Sequence, residues 1–243
     1  MRDYNYTDLP IVSYNIHGLF RQYAGFRHNK LHSPYFWEAI NHAKIFSLLE
    51  TNHTADEIDE LQIFGFKCFN VCRQKRKRGR NSGGIAVYVH KSLLNGIKKI
   101  PSSGTENILI KLNSTFFGLR KDVVVCFSYC VPANSSYQVR EQLDVYGDLE
   151  LKLSNIGQDA NKLCFGDFNA RTGTKLDYLI SEDNTDIPVP PVIYEVDSDT
   201  LSPRHNVDTK TNKYGDNLLS LCKSASLRIC NGRKLGDILG SYT

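Results

Sequence analysis

Residues 162–173 read KLCFGDFNARTG. An apolar run gives out in Gly166-Asp167-Phe168-Asn169, setting a carboxylate and a carboxamide two residues apart. Gly, Asp and Asn all favour turns, so the tetrapeptide alone is as much a turn as a site. Its meaning depends on whether other strands end in the same way. Several do: LPIVSYN (9–15) reads as a strand closing on Asn15, and KIFSLLE (44–50) as one closing on Glu50. KDVVVCFSYCV (121–131) carries Tyr129 where its apolar run ends.

Between these ends, strands and helices mix. QIFGFKCFNV (62–71) and GGIAVYVHKSL (83–93) read as a hairpin-like pair with Gly83-Gly84 at the turn, and ENILIKL (106–112) pairs with the strand that carries Tyr129. Ser33-Pro34 opens a helix in which Phe36, Trp37, Ile40 and Ala43 share a face. Residues 137–155 read as one helix with Val139, Leu143, Tyr146, Leu149 and Leu153 on a stripe. Residues 174–212 are polar and aperiodic, a long surface loop or insertion, before a helix at YGDNLLSLCKSASL and a strand at LRICNG. Early strand pairs predict an α/β fold of sheets packed on each other with helices outside, in a single domain over 1–243.

Composition narrows the class. The 243 residues are 41% hydrophobic and 23% charged, enough for a substantial core. No apolar run nears the roughly 20 residues that cross a bilayer, so no membrane partner is expected. The opening MRDYNYTDLP lacks a secretory leader's charged-then-apolar design, and the seven cysteines lie mostly among apolar neighbours. Reduced core cysteines and an intracellular location are therefore expected; the four-residue spacing of Cys68/Cys72 and Cys126/Cys130 does not suit zinc. The net charge of +4 is concentrated in one run, where Arg73, Lys75, Arg76, Lys77, Arg78 and Arg80 form either a solvated loop or a contact to a nucleic-acid backbone.

If the strand ends gather at one rim, Asn15, Glu50, Asp167 and Asn169 make an oxygen-rich cluster of the kind that Mg²⁺ or Mn²⁺ prefers. A carboxylate beside such a cation can orient or deprotonate water, while amides and a phenol donate to developing charge. His17 and His53 lie near these residues in sequence and read as bystanders.

In order, SYNIHG, LLETN, SGGIAVYV, SYCVP and CFGDFNARTG resemble the endonuclease/exonuclease/phosphatase superfamily. The likeness is closest to the endonuclease domain of non-LTR retrotransposons, relatives of apurinic endonucleases and DNase I. The stretch 208–237 also looks like retroelement sequence that follows the Gly-Asp-Phe-Asn strand. The resemblance implies a DNase I-like four-layer sandwich of two packed mixed β-sheets flanked by helices. It implies Glu50 as the main metal ligand with Asn15 arranging the phosphate site, and Tyr129 contacting the scissile phosphate or leaving group. Asp167 would orient the attacking water and Asn169 would bond a phosphoryl oxygen.

SYCVP departs from the family's Tyr-X-Pro by one extra residue. The family's later Ser-Asp-His does not occur in the chain. The expectation is thus a domain incomplete at its C-terminus, with C-terminal strands missing and weak or no activity. The function implied is Mg²⁺-dependent nicking of target DNA for retroelement insertion, in the nucleus, with the rest of a retroelement polyprotein as the only protein partner suggested. A phosphatase or lipid phosphodiesterase of the same superfamily, or a non-catalytic relic or binding module, stand as alternatives.

Overall fold

The computed structural model describes residues 9–77, 79, 81–179, 204–233 and 237. Contacts divide the chain into two units, Met1–Phe168 and Asn169–Thr243. Strands β1 (Ile11–Asn15), β2 (Phe20–Tyr23), β3 (Phe26–Asn29), β4 (Ile45–Leu49) and β5 (Phe66–Val71) come first in the chain. They are followed by β6 (Ile85–His90), β7 (Ile97–Ile100), β8 (Asn107–Leu112), β9 (Asp122–Tyr129) and β10 (Ala160–Asp167). The helices are α1 (Pro34–Ile40), α2 (Ser114–Phe117), α3 (Ser136–Glu141), α4 (Val145–Ser154) and, in the second unit, α5 (Lys213–Ser224).

Two four-stranded sheets form, in the orders β1-β4-β6-β5 and β10-β9-β8-β7. Each is mixed in the same way: the first pair, β1 with β4 or β10 with β9, is parallel, and the remaining pairs are antiparallel. The sheets face each other, with β1 meeting β10 and β4 meeting β9. On the outer side of the first sheet, Phe36 and Ile40 of α1 join Phe46, Leu48 and Tyr88 in one buried cluster. Burying each such side chain contributes about 1.5–3 kcal/mol. The Phe46 and Tyr88 rings stack at 4.6 Å. Leu149 and Leu153 of α4 are buried, and Asn107 of β8 donates to Asp148 at 3.3 Å. Helix, sheet, sheet and helix make the expected α/β sandwich.

Several local expectations need correction. The run 137–155 is two helices, because Gln142 adopts a left-handed backbone and Asp144 caps a new start by accepting from Gly147 N–H. Val139 is therefore exposed rather than part of the stripe. β10 is a half-exposed strand, with Leu163 open to solvent. Gly83 and Gly84 do not make a tight turn, since β5 and β6 pair as far as Val71 and Ile85 across the loop 72–84. The two glycines instead accept from Asn52 and Thr51 N–H. The unforeseen β2–β3 hairpin closes on Ala24-Gly25, both at positive φ, the backbone that a two-residue hairpin turn requires.

In the second unit Thr172 and Thr211 form an isolated bridge, and Arg204 donates to the Gly173 and Lys175 carbonyls. Residues 180–203 of the expected loop or insertion lie outside the described residues. LRICNG forms no strand there: Ile229 N–H is given to the Asp177 carboxylate at 2.7 Å instead of to a neighbouring strand. Arg233 grips the same buried carboxylate with two bonds, of 2.6 and 2.7 Å.

Candidate active site at the ends of β1, β4, β9 and β10

Parallel registry sets the site. Asn15 of β1 stands beside Leu49, the last residue of β4, and Asp167 of β10 stands beside Tyr129 of β9. The two parallel pairs, one from each sheet, therefore end at the same rim. Two hydrogen bonds then cross between the sheets. Asn15 Nδ2 donates to Asp167 Oδ2 at 3.0 Å, and the Tyr129 hydroxyl donates to Glu50 Oε1. Four of the five residues expected from strand ends are thus joined in two pairs.

Each pair is held by backbone that needs its local sequence. Glu50 and His17 both sit at positive φ, a costly conformation for non-glycine residues that is found where surrounding structure enforces it. Here Gly18 N–H donates to the Glu50 carbonyl at 2.6 Å, and Leu19 N–H to the Thr51 carbonyl at 2.8 Å. Gly166 is obligatory for a different reason: a Cβ there would overlap the Ser128 carbonyl on β9. The glycine of Gly-Asp-Phe-Asn lets β10 lie close enough to β9 to place Asp167 beside Tyr129.

Tyr129 is 5% exposed, and burial pushes its phenol pKa up, with the bonded Glu50 pushing further in the same direction. It stays protonated at working pH and donates to Glu50. Asn15 is likewise engaged at both ends, its Oδ1 accepting from His17 N–H at 2.9 Å. Its carboxamide nitrogen is aimed at Asp167. Asn169 belongs to the second unit, at positive φ, with its carbonyl accepting from Asn212 at 3.1 Å.

His17 and Arg73 read differently once placed. His17, taken as a bystander, has its Nδ1 2.8 Å from Glu50 Oε2. His53 is buried against the Thr51 hydroxyl at 2.6 Å, and burial lowers its pKa. Arg73, read with the basic run as either a solvated loop or a contact to a nucleic-acid backbone, is 8% exposed and makes a two-bond pair with Glu106, at 2.9 and 2.6 Å. Its guanidinium lies 3.7 Å from the Tyr137 ring centre and 5.8 Å from that of Tyr129. Arg73 is a buried brace behind the site and cannot meet a phosphate backbone. Lys75 pairs with Asp56 on the surface, Arg76 N–H donates to Asn81, and Lys77 is exposed. Arg78 and Arg80 lie outside the described residues. Gly83 leaves room for the Arg73 guanidinium, which a Cβ there would overlap.

As a cation site, the rim offers carboxylate and amide oxygens, the hard donors suited to Mg²⁺ or Mn²⁺. Among the described residues no group of three or more His, Cys, Asp or Glu is poised to hold a metal. Mg²⁺ usually takes only one or two protein carboxylates and keeps several waters.

No protein-family model and no curated protein matches the chain. Among solved structures it is similar to the AP endonuclease LMAP from Leishmania major, at 15% identity and TM-score 0.46 over 67% of this chain and 55% of that one. It is also similar to the APE2 catalytic domain from Xenopus laevis, at 20% identity and TM-score 0.47 over 72% and 62%. A third likeness, at 16% identity and TM-score 0.43 over 67% and 58%, is to the 3′ phosphatase NExo from Neisseria bound to a product DNA hairpin. The chain thus spans less than two thirds of the length of each. At these scores the likeness decides nothing about chemistry, which rests on the rim itself. No described helix is long and apolar enough to cross a membrane.

Proposed function

We propose that the rim hydrolyses phosphodiester bonds in DNA with the help of a divalent cation, and that the chain is an endonuclease domain of a retroelement. The observation that carries this is the pair of inter-sheet hydrogen bonds that brings Glu50 and Asp167 to one rim. Glu50 would hold the cation, with Asn15 as a second oxygen. When bound, Mg²⁺ or Mn²⁺ neutralises phosphoryl charge and eases departure of the leaving oxygen.

The remaining work falls to side chains. Asn15 fixes one oxygen of Asp167, so the carboxylate presents a defined edge to a water and can accept its proton. That water forms a bond to phosphorus as the bond to the 3′ oxygen breaks, leaving a 3′-hydroxyl suited to priming reverse transcription. Tyr129 keeps Glu50 oriented, and Asn169 is proposed to donate to a phosphoryl oxygen. The 243 residues hold no Ser-Asp-His. Loss of a proton-transfer group typically lowers rates about 10²–10⁴-fold, so slow nicking is expected of these residues alone.

Supercoiled plasmid incubated with Mg²⁺ at protein excess tests this. Slow nicking that disappears in Asp167→Asn is expected, and equal nicking by both proteins contradicts it. Inositol phosphate and sphingomyelin in parallel separate DNA from the phosphatase and lipid substrates.

A further inference from the structure

We infer that the groove between the β2–β3 hairpin and α1 binds single-stranded nucleic acid, with tyrosine rings stacking on unpaired bases and cations meeting the phosphates. This rests on the proposal that the adjoining rim acts on DNA. The groove encloses about 590 Å³. Tyr14, Tyr23 and Tyr35 line it and are 51%, 67% and 82% exposed. Folding gains little from three open rings gathered at one groove, which marks a surface kept for a partner.

Charge identifies the partner's chemistry. Arg21 and Lys30 line the groove with His28 and His32, and none of its lining residues is acidic. Lys30 Nζ is anchored by the Ile16 and His17 carbonyls, at 2.6 and 3.3 Å, which fixes its ammonium beside the rim. β1 joins groove to site: Tyr14 and Ile16 line the groove, while Asn15 between them bonds Asp167. A duplex hides the faces of its bases, whereas a single strand offers each face to an aromatic ring and its phosphates to cations. Rings and cations without a carboxylate match that combination.

Fluorescence anisotropy of the full chain in EDTA, with a labelled oligothymidylate of about 12 nucleotides and a duplex of the same length, tests the inference. Tighter binding of the single strand is expected. Tyr23→Ala with Tyr35→Ala should weaken it about tenfold or more, and Tyr23→Phe with Tyr35→Phe should restore it. Arg21→Glu should weaken binding and flatten its salt dependence. Unchanged affinity in the double alanine variant, equal affinity for duplex, or no binding of the single strand overturns the inference. Circular dichroism confirms that these exposed substitutions leave the fold intact. Asp167→Asn should remove hydrolysis and keep the affinity. If the native chain fails to hydrolyse DNA yet binds through its tyrosines, the groove stands and the hydrolytic reading falls.

Discussion

At the scale of single residues, the rim is organised by side chains that act on other side chains. Asn15 and Tyr129 each give a hydrogen to a carboxylate of the opposite sheet. Tyr129→Phe should cost about 1.5–3 kcal/mol of stability, one hydrogen bond to a charged group, while weakening any cation bound by Glu50. Chemical denaturation beside a metal titration separates the two effects. Arg73→Ala is a harsher change, because it leaves Glu106 buried without its counter-charge. A loss of about 3–5 kcal/mol is expected by urea denaturation, against little for Lys75→Ala, whose ion pair is exposed. A small loss for Arg73→Ala would return it to the surface role that its basic neighbours suggested. Asn15, Glu50, Tyr129 and Asp167 were legible in the sequence because each interrupts an apolar run. His17 and Arg73 were not, because their partners Glu50 and Glu106 are each 33 residues away and only the fold brings them together.

At the scale of elements, glycines and caps decide where chain segments can lie. Gly84 sits at φ +86, and a Cβ there would come within 2.6 Å of Thr51 Oγ1, directly behind Glu50. Gly84→Ala should cost about 1–3 kcal/mol in backbone strain, with the loss read as a lowered denaturant midpoint. It should also loosen the turn that holds Glu50. Asp144→Ala removes the cap that starts α4 and should cost about 1 kcal/mol. Strands β4, β6, β8 and β9 could be anticipated because they are mostly apolar and nearly every residue is buried. The β2–β3 hairpin could not, since FRQY and FRHN expose most of their residues and bury little that would imprint a pattern. The split of α3 from α4 was hidden for the opposite reason. The apolar spacing continues across the break, and only Asp144 as a capping residue marks it.

At the scale of the whole molecule, each unit depends on buried charge in its own way. In the second, burial pushes the Asp177 carboxyl pKa up, but the Arg233 guanidinium and Ile229 N–H outweigh it and hold the carboxyl below its usual range. A depressed carboxylate contributes stability above its unfolded pKa of about 3.9 and loses it as pH falls through the folded value. Protection of Ile229 N–H from hydrogen exchange should therefore persist at neutral pH and weaken progressively as the pH falls below about 4 and through the depressed folded value. In Asp177→Asn it should already be weak at neutral pH; acid-insensitive protection in the native chain would contradict this. In the first unit the central claim is that strand ends from two sheets make one cation site around Glu50. Electron paramagnetic resonance of free Mn²⁺, titrated into the native chain and into Glu50→Gln, tests it without relying on turnover. One bound ion per native chain, lost on Glu50→Gln, is expected; equal Mn²⁺ uptake by the two proteins, or none by the native chain, would contradict it.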